Sequence, residues 1–345
     1  MIDYLIVGSG LAGISFSEVV LKNNKTLCVF NDNSQQSSQV AGGLYNPVIL
    51  KRFSEVWQAQ EQITLLDSFY AALGEKLGVQ LDFKMPILRK FFSVEEQNNW
   101  FIAADKPLLS PFLSVDLINK KYNNFPSPFG FGEVLQTGYV ETGVLVEAYK
   151  KYLKSIDSFI EGTFDYDKLQ VKDGFVQYED IKARHIIFAE GFGMLSNPFF
   201  KELPLDGTKG ELLIIKAPDL DIDVVIKTSV FILPLGNHLY KVGATYNWKD
   251  KTNLPTEEGK LELVEKIKEL IDCDFEIVEH LVGVRPTVKD RRPLLGTHAQ
   301  YANIHILNGL GTRGVMLGPA MAQRLYDFIE FQKPLEREIN ISRFV

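Results

Sequence analysis

Tyr4-Leu-Ile-Val-Gly-Ser-Gly-Leu-Ala-Gly13 is an apolar run that leads into three glycines at G-x-G-x-x-G spacing. This is the first turn of a dinucleotide-binding βαβ unit. Gly8 permits the tight turn, Gly10 lets the backbone approach a pyrophosphate, and Gly13 lets the helix pack closely on the strand. The pyrophosphate is expected on the free N–H groups of the helix start, around Leu11 and Ala12. The flanks agree: Leu5–Val7 reads as a buried strand, Ile14–Leu21 as a helix and Thr26–Phe30 as the next strand. The acidic residue that should close the second strand, about 20 residues on, falls at Asn31. An amide accepts one ribose hydrogen bond without charge, and Asp32 follows it directly.

The 345 residues suffice for about two domains or one large one. A hydrophobic content of 46 % supports a full core. Lys+Arg 37 against Asp+Glu 44 leaves −7, so no global basic field draws nucleic acid or an anionic membrane. Local basic pairs (Lys51-Arg52, Lys120-Lys121, Lys150-Lys151, Arg291-Arg292) read as solvated faces. Cys28 and Cys273 suggest no disulfide framework, which fits a reducing compartment. The five histidines show no metal-ligand spacing, and no Ser or Cys nucleophile motif is visible. The apolar start lacks a basic flank, carries Asp3 and is interrupted by glycines, and no 18-residue apolar span follows. The expectation is a cytoplasmic protein that takes no metal and no membrane partner.

Further along, Glu55–Leu73 has helical apolar spacing and Leu81–Phe92 is strand-like. Residues 107–128, rich in Pro, Phe and Asn, read as loops. A helix is expected over Gly143–Leu153, then short strands around Phe159–Phe164, Leu169–Tyr178 and His185–Ala189. The last runs into Ala189-Glu-Gly191, which suits a second backbone approach to a cofactor. Residues 210–250 look like antiparallel strands, Glu257–Leu270 like an amphipathic helix and Phe275–Arg285 like another strand. The densest motif region follows, from Gly283 to Pro319. Its last piece, Asn308-Gly-Leu-Gly-Thr-Arg-Gly-Val-Met-Leu-Gly-Pro319, is a glycine-rich turn opening a helix. Such a turn aims N–H groups and a positive dipole end at something electron-rich.

Taken together, these segments resemble the D-amino-acid oxidase superfamily of FAD enzymes, in the family's order along nearly the whole chain. The matching stretches are Gly8–Gly13, Ser38–Gly43, Thr137–Val140, Ala189–Gly191, Lys209–Glu211, Gly283–Gly296 and Gly309–Pro319. Gly42–Pro47, Gly243–Tyr246 and Leu310–Gly314 are most similar to the oxidase domain of the bifunctional enzymes that modify wobble uridine in bacterial tRNA; a methyltransferase domain like theirs is absent from this sequence. Thr312 stands where glycine oxidase carries an arginine, and Phe231 where it carries a substrate tyrosine.

The resemblance implies an α/β fold, α+β overall. A Rossmann-like FAD-binding part (1–80, 140–205, 280–345) would join a mostly antiparallel-sheet substrate part (81–139, 206–279). FAD would be noncovalent, since no Cys lies at the attachment places. Its implied contacts are Gly8, Gly10, Leu11, Ala12, Gly13, Asn31, Asp32, Val40, Ala41, Gly42, Gly43, Phe164, Ala189, Glu190, Gly191, Gly309, Leu310, Gly311, Thr312, Gly314 and Val315. Arg285 is the first choice to clamp a substrate carboxylate through two parallel bonds. Arg313 is the second, and Tyr246 lines the pocket. The reaction implied is hydride transfer to flavin from a carbon beside an amine nitrogen, in a small amino acid or N-substituted glycine. Oxidative removal of the carboxymethyl group from a wobble uridine in tRNA is the alternative. A non-catalytic FAD protein or redox sensor is the alternative of another class.

Overall fold

The computed structural model describes residues 1–344. Its first sheet is built on parallel strands in the order Phe159–Glu161, Leu27–Asn31, Ile2–Val7, Ile181–Phe188, Ile304–Asn308. Ile181–Phe188 is shared along its length. Its first half pairs antiparallel with Phe175–Tyr178, and its second half pairs parallel with Ile304–Asn308. The 169–178 segment is thus a hairpin, turned at Gly174. The second sheet has eight strands, ordered Glu276–Arg285, Thr208–Lys216, Leu239–Gly243, Phe231–Gly236, Val225–Lys227, Ile87–Lys90, Phe131–Val134, Leu113–Ile118. Every neighbouring pair is antiparallel except Val225–Lys227 with Ile87–Lys90. The two sheets match the expected α/β class with a mostly antiparallel second part. Glu276–Arg285 hydrogen-bonds into the second sheet along its whole length, so residues 280–285 lie there and not with the nucleotide-binding strands.

Several local expectations change. The helix expected from Glu55 begins at Ala59, because Gln58 takes a left-handed conformation and Ser54–Glu55 pairs with Val48–Ile49; it then continues to Leu77. Pro86 splits the 81–92 run. Asp82–Lys84 joins a small sheet with Gly138–Val140, and Ile87–Lys90 enters the large one. Residues 107–128 are not all loop, since Leu113–Ile118 forms an edge strand with a register shift. Its flanking prolines hid it. The helix Val94–Ala104 was not anticipated, although Ser93 accepts a hydrogen bond from the Glu96 N–H at 3.2 Å, as a cap does.

The helix Leu11–Lys22 packs against the carboxy-terminal helix Gly314–Phe331. The approach is close because glycines face it. A Cβ at Gly314 would lie 2.8 Å from Leu11 Cδ1, and one at Gly318 2.7 Å from Ser15 Oγ. Pro319 sits inside the second helix and has no N–H to give the Val315 carbonyl. The buried Tyr70 hydroxyl donates to that carbonyl instead, at 3.1 Å. Tyr70→Phe leaves it without a donor, which costs about 1–3 kcal/mol. Calorimetry should show Tm lower by a few degrees; an unchanged Tm would mean that another group serves the carbonyl.

Candidate active site

A cavity of about 680 Å³ opens where the parallel strands end, beneath the second sheet. The carboxyl ends of four strands reach its wall, at Gly8, Asn31, Ala189 and Asn308. This is where open α/β sheets bind ligands. The first turn is fixed by contact: a Cβ at Gly13 would sit 1.9 Å from the Gly8 carbonyl oxygen, so only glycine fits. The Leu11 N–H donates to Ser38 Oγ at 3.1 Å, bringing the segment around Ser38–Gly43 over the helix start. Asn31 turns its side-chain oxygen to the Ser9 N–H at 3.2 Å and its amide to Asn33 at 2.9 Å. It organises the turn, while Asp32 lies on the wall and caps the Ser34 N–H at 2.9 Å.

Of the residues singled out in the sequence, the cavity gathers Gly8, Gly10, Leu11, Ala12, Asn31, Asp32, Val40–Gly43, Phe164, Ala189–Gly191, Leu310–Thr312, Gly314 and Val315. Tyr246, Arg285 and Arg313 are there too. Two are not on its wall. Gly13 is used up by the packing just described, and a Cβ at Gly309 would meet Val288 at 2.5 Å. Sequence reasoning missed Ser38, Tyr166, Lys227 and Asn308. The Asn308 amide donates to the Gly191 carbonyl at 2.9 Å, and its oxygen accepts from the Gly309 N–H at 2.7 Å. One side chain thereby ties the two glycine turns together. Its place at the head of the motif was the available signal.

The cavity is electrically polarised. Asp32 and Glu190 lie at the nucleotide end. Desolvation pushes the Glu190 carboxyl up to about 7, against hydrogen bonds from Asn197 Nδ2 at 2.7 Å and the Tyr166 hydroxyl. A raised carboxyl favours the protonated folded state, so its contribution is complete below about pH 4.5 and is lost as pH rises through 7. Urea unfolding of the apoprotein at pH 5 and pH 8 should show this fall, and Glu190→Gln should remove it. An equal slope in the variant would assign the effect elsewhere.

The other end carries Lys227, Arg285 and Arg313. Arg285 ends the strand Glu276–Arg285 and lies across the neighbouring strand at Gly210, where a Cβ would come within 2.0 Å of Nη2. Its Nη1 donates to the Thr245 carbonyl at 3.4 Å, and the guanidinium stands 4.7 Å from the centre of the exposed Tyr246 ring. Among the described residues no carboxylate pairs with Arg285 or Arg313. Desolvation holds both below the usual arginine range. Desolvation, then repulsion from Arg89, pushes the Lys227 amine down to about 8. Phe231 lies on the same wall, its ring against Gly42.

The Lys209-Gly-Glu211 motif does different work. Lys209 is fully buried and donates to Asp250 and the Leu254 carbonyl. Glu211 accepts from the Thr256 hydroxyl at 2.7 Å and the Thr256 N–H at 3.0 Å. Together they clamp the segment that carries Tyr246 to the sheet.

A glycine turn at a helix start, strand ends gathered at one cavity and arginines without carboxylate partners among the described residues define a nucleotide-binding α/β architecture with an anion site. The chain belongs to the FAD dependent oxidoreductase (DAO) family, whose model matches residues 3–327. Glycine oxidase of Bacillus subtilis (strain 168) is 23 % identical over 366 residues, covering 98 % of this chain and 94 % of that protein. The tRNA 5-methylaminomethyl-2-thiouridine biosynthesis bifunctional protein MnmC of Idiomarina loihiensis is 25 % identical over 226 residues, 61 % of this chain and 34 % of its own. Among solved structures, iminodiacetate oxidase from Chelativorans sp. BNC1 superposes with a TM-score of 0.79 at 18 % identity, over 97 % of this chain and 98 % of that one. It shares the fold.

The residues present fit FAD. A Cβ at Gly191 would meet nothing within 4 Å, and one at Gly311 only the Pro286 carbonyl at 4.0 Å, so both turns present bare backbone. The starts of the helices Leu11–Lys22 and Gly314–Phe331 border the same space, and each offers first-turn N–H groups without intrahelical partners.

Proposed function

We propose that this protein oxidises the C–N bond of a small amino acid or N-substituted glycine, with FAD bound noncovalently. When bound, FAD accepts the hydride from the carbon beside the amine nitrogen. The observation that carries the reading is Arg285, a desolvated guanidinium on the cavity wall with no carboxylate partner among the described residues. It holds the substrate carboxylate and so fixes the carbon to be oxidised. Arg313 offers a second cation and Tyr246 closes the side of the pocket. The first turn of the helix Gly314–Phe331 directs N–H groups and the helix dipole at negative charge arising in the cavity, while the Gly311 and Arg313 N–H groups are spent on the Pro286 and Leu310 carbonyls. Among the described residues neither Cys nor His lines the wall, which supports noncovalent binding. The nucleotide would be held by residues 8–12, Asp32, Val40–Gly43, Phe164, Ala189–Gly191 and 310–315. The substrate side would be formed by 81–139 with the strands from 206 to 285.

The test is anaerobic flavin reduction by a panel of N-alkyl glycines and amino acids. Bleaching by a carboxylate-bearing amine is expected, and no bleaching by any amine leaves a flavoprotein without this turnover. Acid precipitation should leave the colour in the supernatant. A second reading, removal of the carboxymethyl group from modified wobble uridine in tRNA, is favoured by the local MnmC similarity. Incubation with carboxymethylaminomethyl-modified tRNA and nucleoside analysis separates the two readings.

A further inference from the structure

Beside the cavity runs a groove of about 1310 Å³, continuous with it at Lys227, Tyr246 and Arg313. The sequence gives the chain a net charge of −7, yet this groove is basic. Lys51, Arg52, Lys227, Arg291, Arg292 and Arg313 line it. Among the described residues, none of the six forms an ion pair. The two acids on its wall are already engaged: Glu96 lies 3.8 Å from Arg89, and Asp290 lies 2.8 Å from Arg343. The pairs Lys51-Arg52 and Arg291-Arg292, 240 positions apart in sequence, thus meet around one groove, with Lys51, Arg52 and Arg291 exposed to solvent and Arg292 half-buried. Arg52, Arg291 and Arg292 stand close enough to Arg313 to repel its charge. By contrast, Lys120 and Lys150 are paired, with Asp223 and Glu161.

Like charges held together without counter-charges oppose folding, so they signal an anion that arrives later. The floor is aromatic. Arg292 stacks over Trp57 at 5.2 Å, and Phe92, Tyr246 and Trp248 expose ring surface on the same wall. Cations beside partly exposed rings suit phosphate attached to a flat ring.

We propose that this groove is an anion subsite for the part of the substrate remote from the reacting carbon, and that the substrate therefore carries phosphate. The inference rests on the amine-oxidation reading for what reacts in the cavity, but its test needs no turnover. Calorimetric titration of the FAD-loaded protein uses three probes: inorganic pyrophosphate, uridine 5′-monophosphate and a short single-stranded oligouridylate. Pyrophosphate should bind at low salt and weaken as NaCl is raised. Arg291→Gln with Arg292→Gln should weaken it at least tenfold, with flavin content and Tm unchanged. Arg52→Gln, on the opposite loop, should weaken it in the same direction should the double variant prove unstable. Equal affinity for the mononucleotide and the oligomer points to a small phosphate ester. Affinity rising with oligomer length, with a steeper salt dependence, points to an RNA strand as the source of the phosphate. The proposal is overturned if no probe binds at millimolar concentration, or if neither variant changes the binding. Failure of small amines to bleach the flavin, with phosphate binding intact, would strike the small-amine reading and leave this one standing.

Discussion

Arg285→Ala should lower kcat/KM for a carboxylate-bearing amine about ten- to hundredfold. A charged hydrogen bond contributes roughly 1.5–3 kcal/mol, and about 1.36 kcal/mol is a factor of ten. Flavin content should not change, because the contacts of the Arg285 side chain are the Thr245 carbonyl and the Tyr246 ring, and none is to the turn at Gly8–Ala12 or to Asp32. Gly210→Ala makes the same point without touching the charge. The added methyl would fall 2.0 Å from Nη2, so the guanidinium must leave its place across the strand. Both variants should lose activity together, through KM when uncharged amines are compared with carboxylates. A variant that oxidises the carboxylate substrate as well as the unaltered protein would remove Arg285 from the clamp.

Gly10→Val should yield a folded but colourless protein that does not take up added FAD. Gly10 begins the helix Leu11–Lys22, with Ser38 drawn in beside it. A Cβ there would already lie 2.9 Å from Ser38 Oγ, and the two methyls of valine would stand over the helix start on the cavity wall. Unlike Gly13, where a Cβ would strike the Gly8 carbonyl at 1.9 Å, Gly10 faces a side chain that can move. Folding should survive, with far-UV circular dichroism unchanged. Retention of FAD at unaltered affinity would show that the pyrophosphate does not approach this turn.

The sequence by itself determined the nucleotide-binding half. Its signals are local: a buried strand, glycines whose spacing serves one turn, and a helix, all within 22 residues. The same holds for the second glycine turn at 309–314, for the helices expected over 143–153 and 257–270, and for the antiparallel strands expected within 210–250. Such patterns follow from backbone sterics and burial over a few residues. Arg285 and Arg313 were legible because each sits inside a dense motif.

Tertiary structure decided the rest, because long-range pairing overrides local composition. Leu113–Ile118 became a strand only through its partner Phe131–Val134, and residues 280–285 joined the second sheet only through Thr208–Gly210 and its neighbours. Asn308 reads as one more turn residue until its amide is seen to reach Gly191, 117 positions away. Charge shows the effect most clearly. Net charge and scattered basic pairs gave no hint of a basic groove, because electrostatic potential depends on distance in space, and only the fold sets Lys51-Arg52 and Arg291-Arg292 around Arg313.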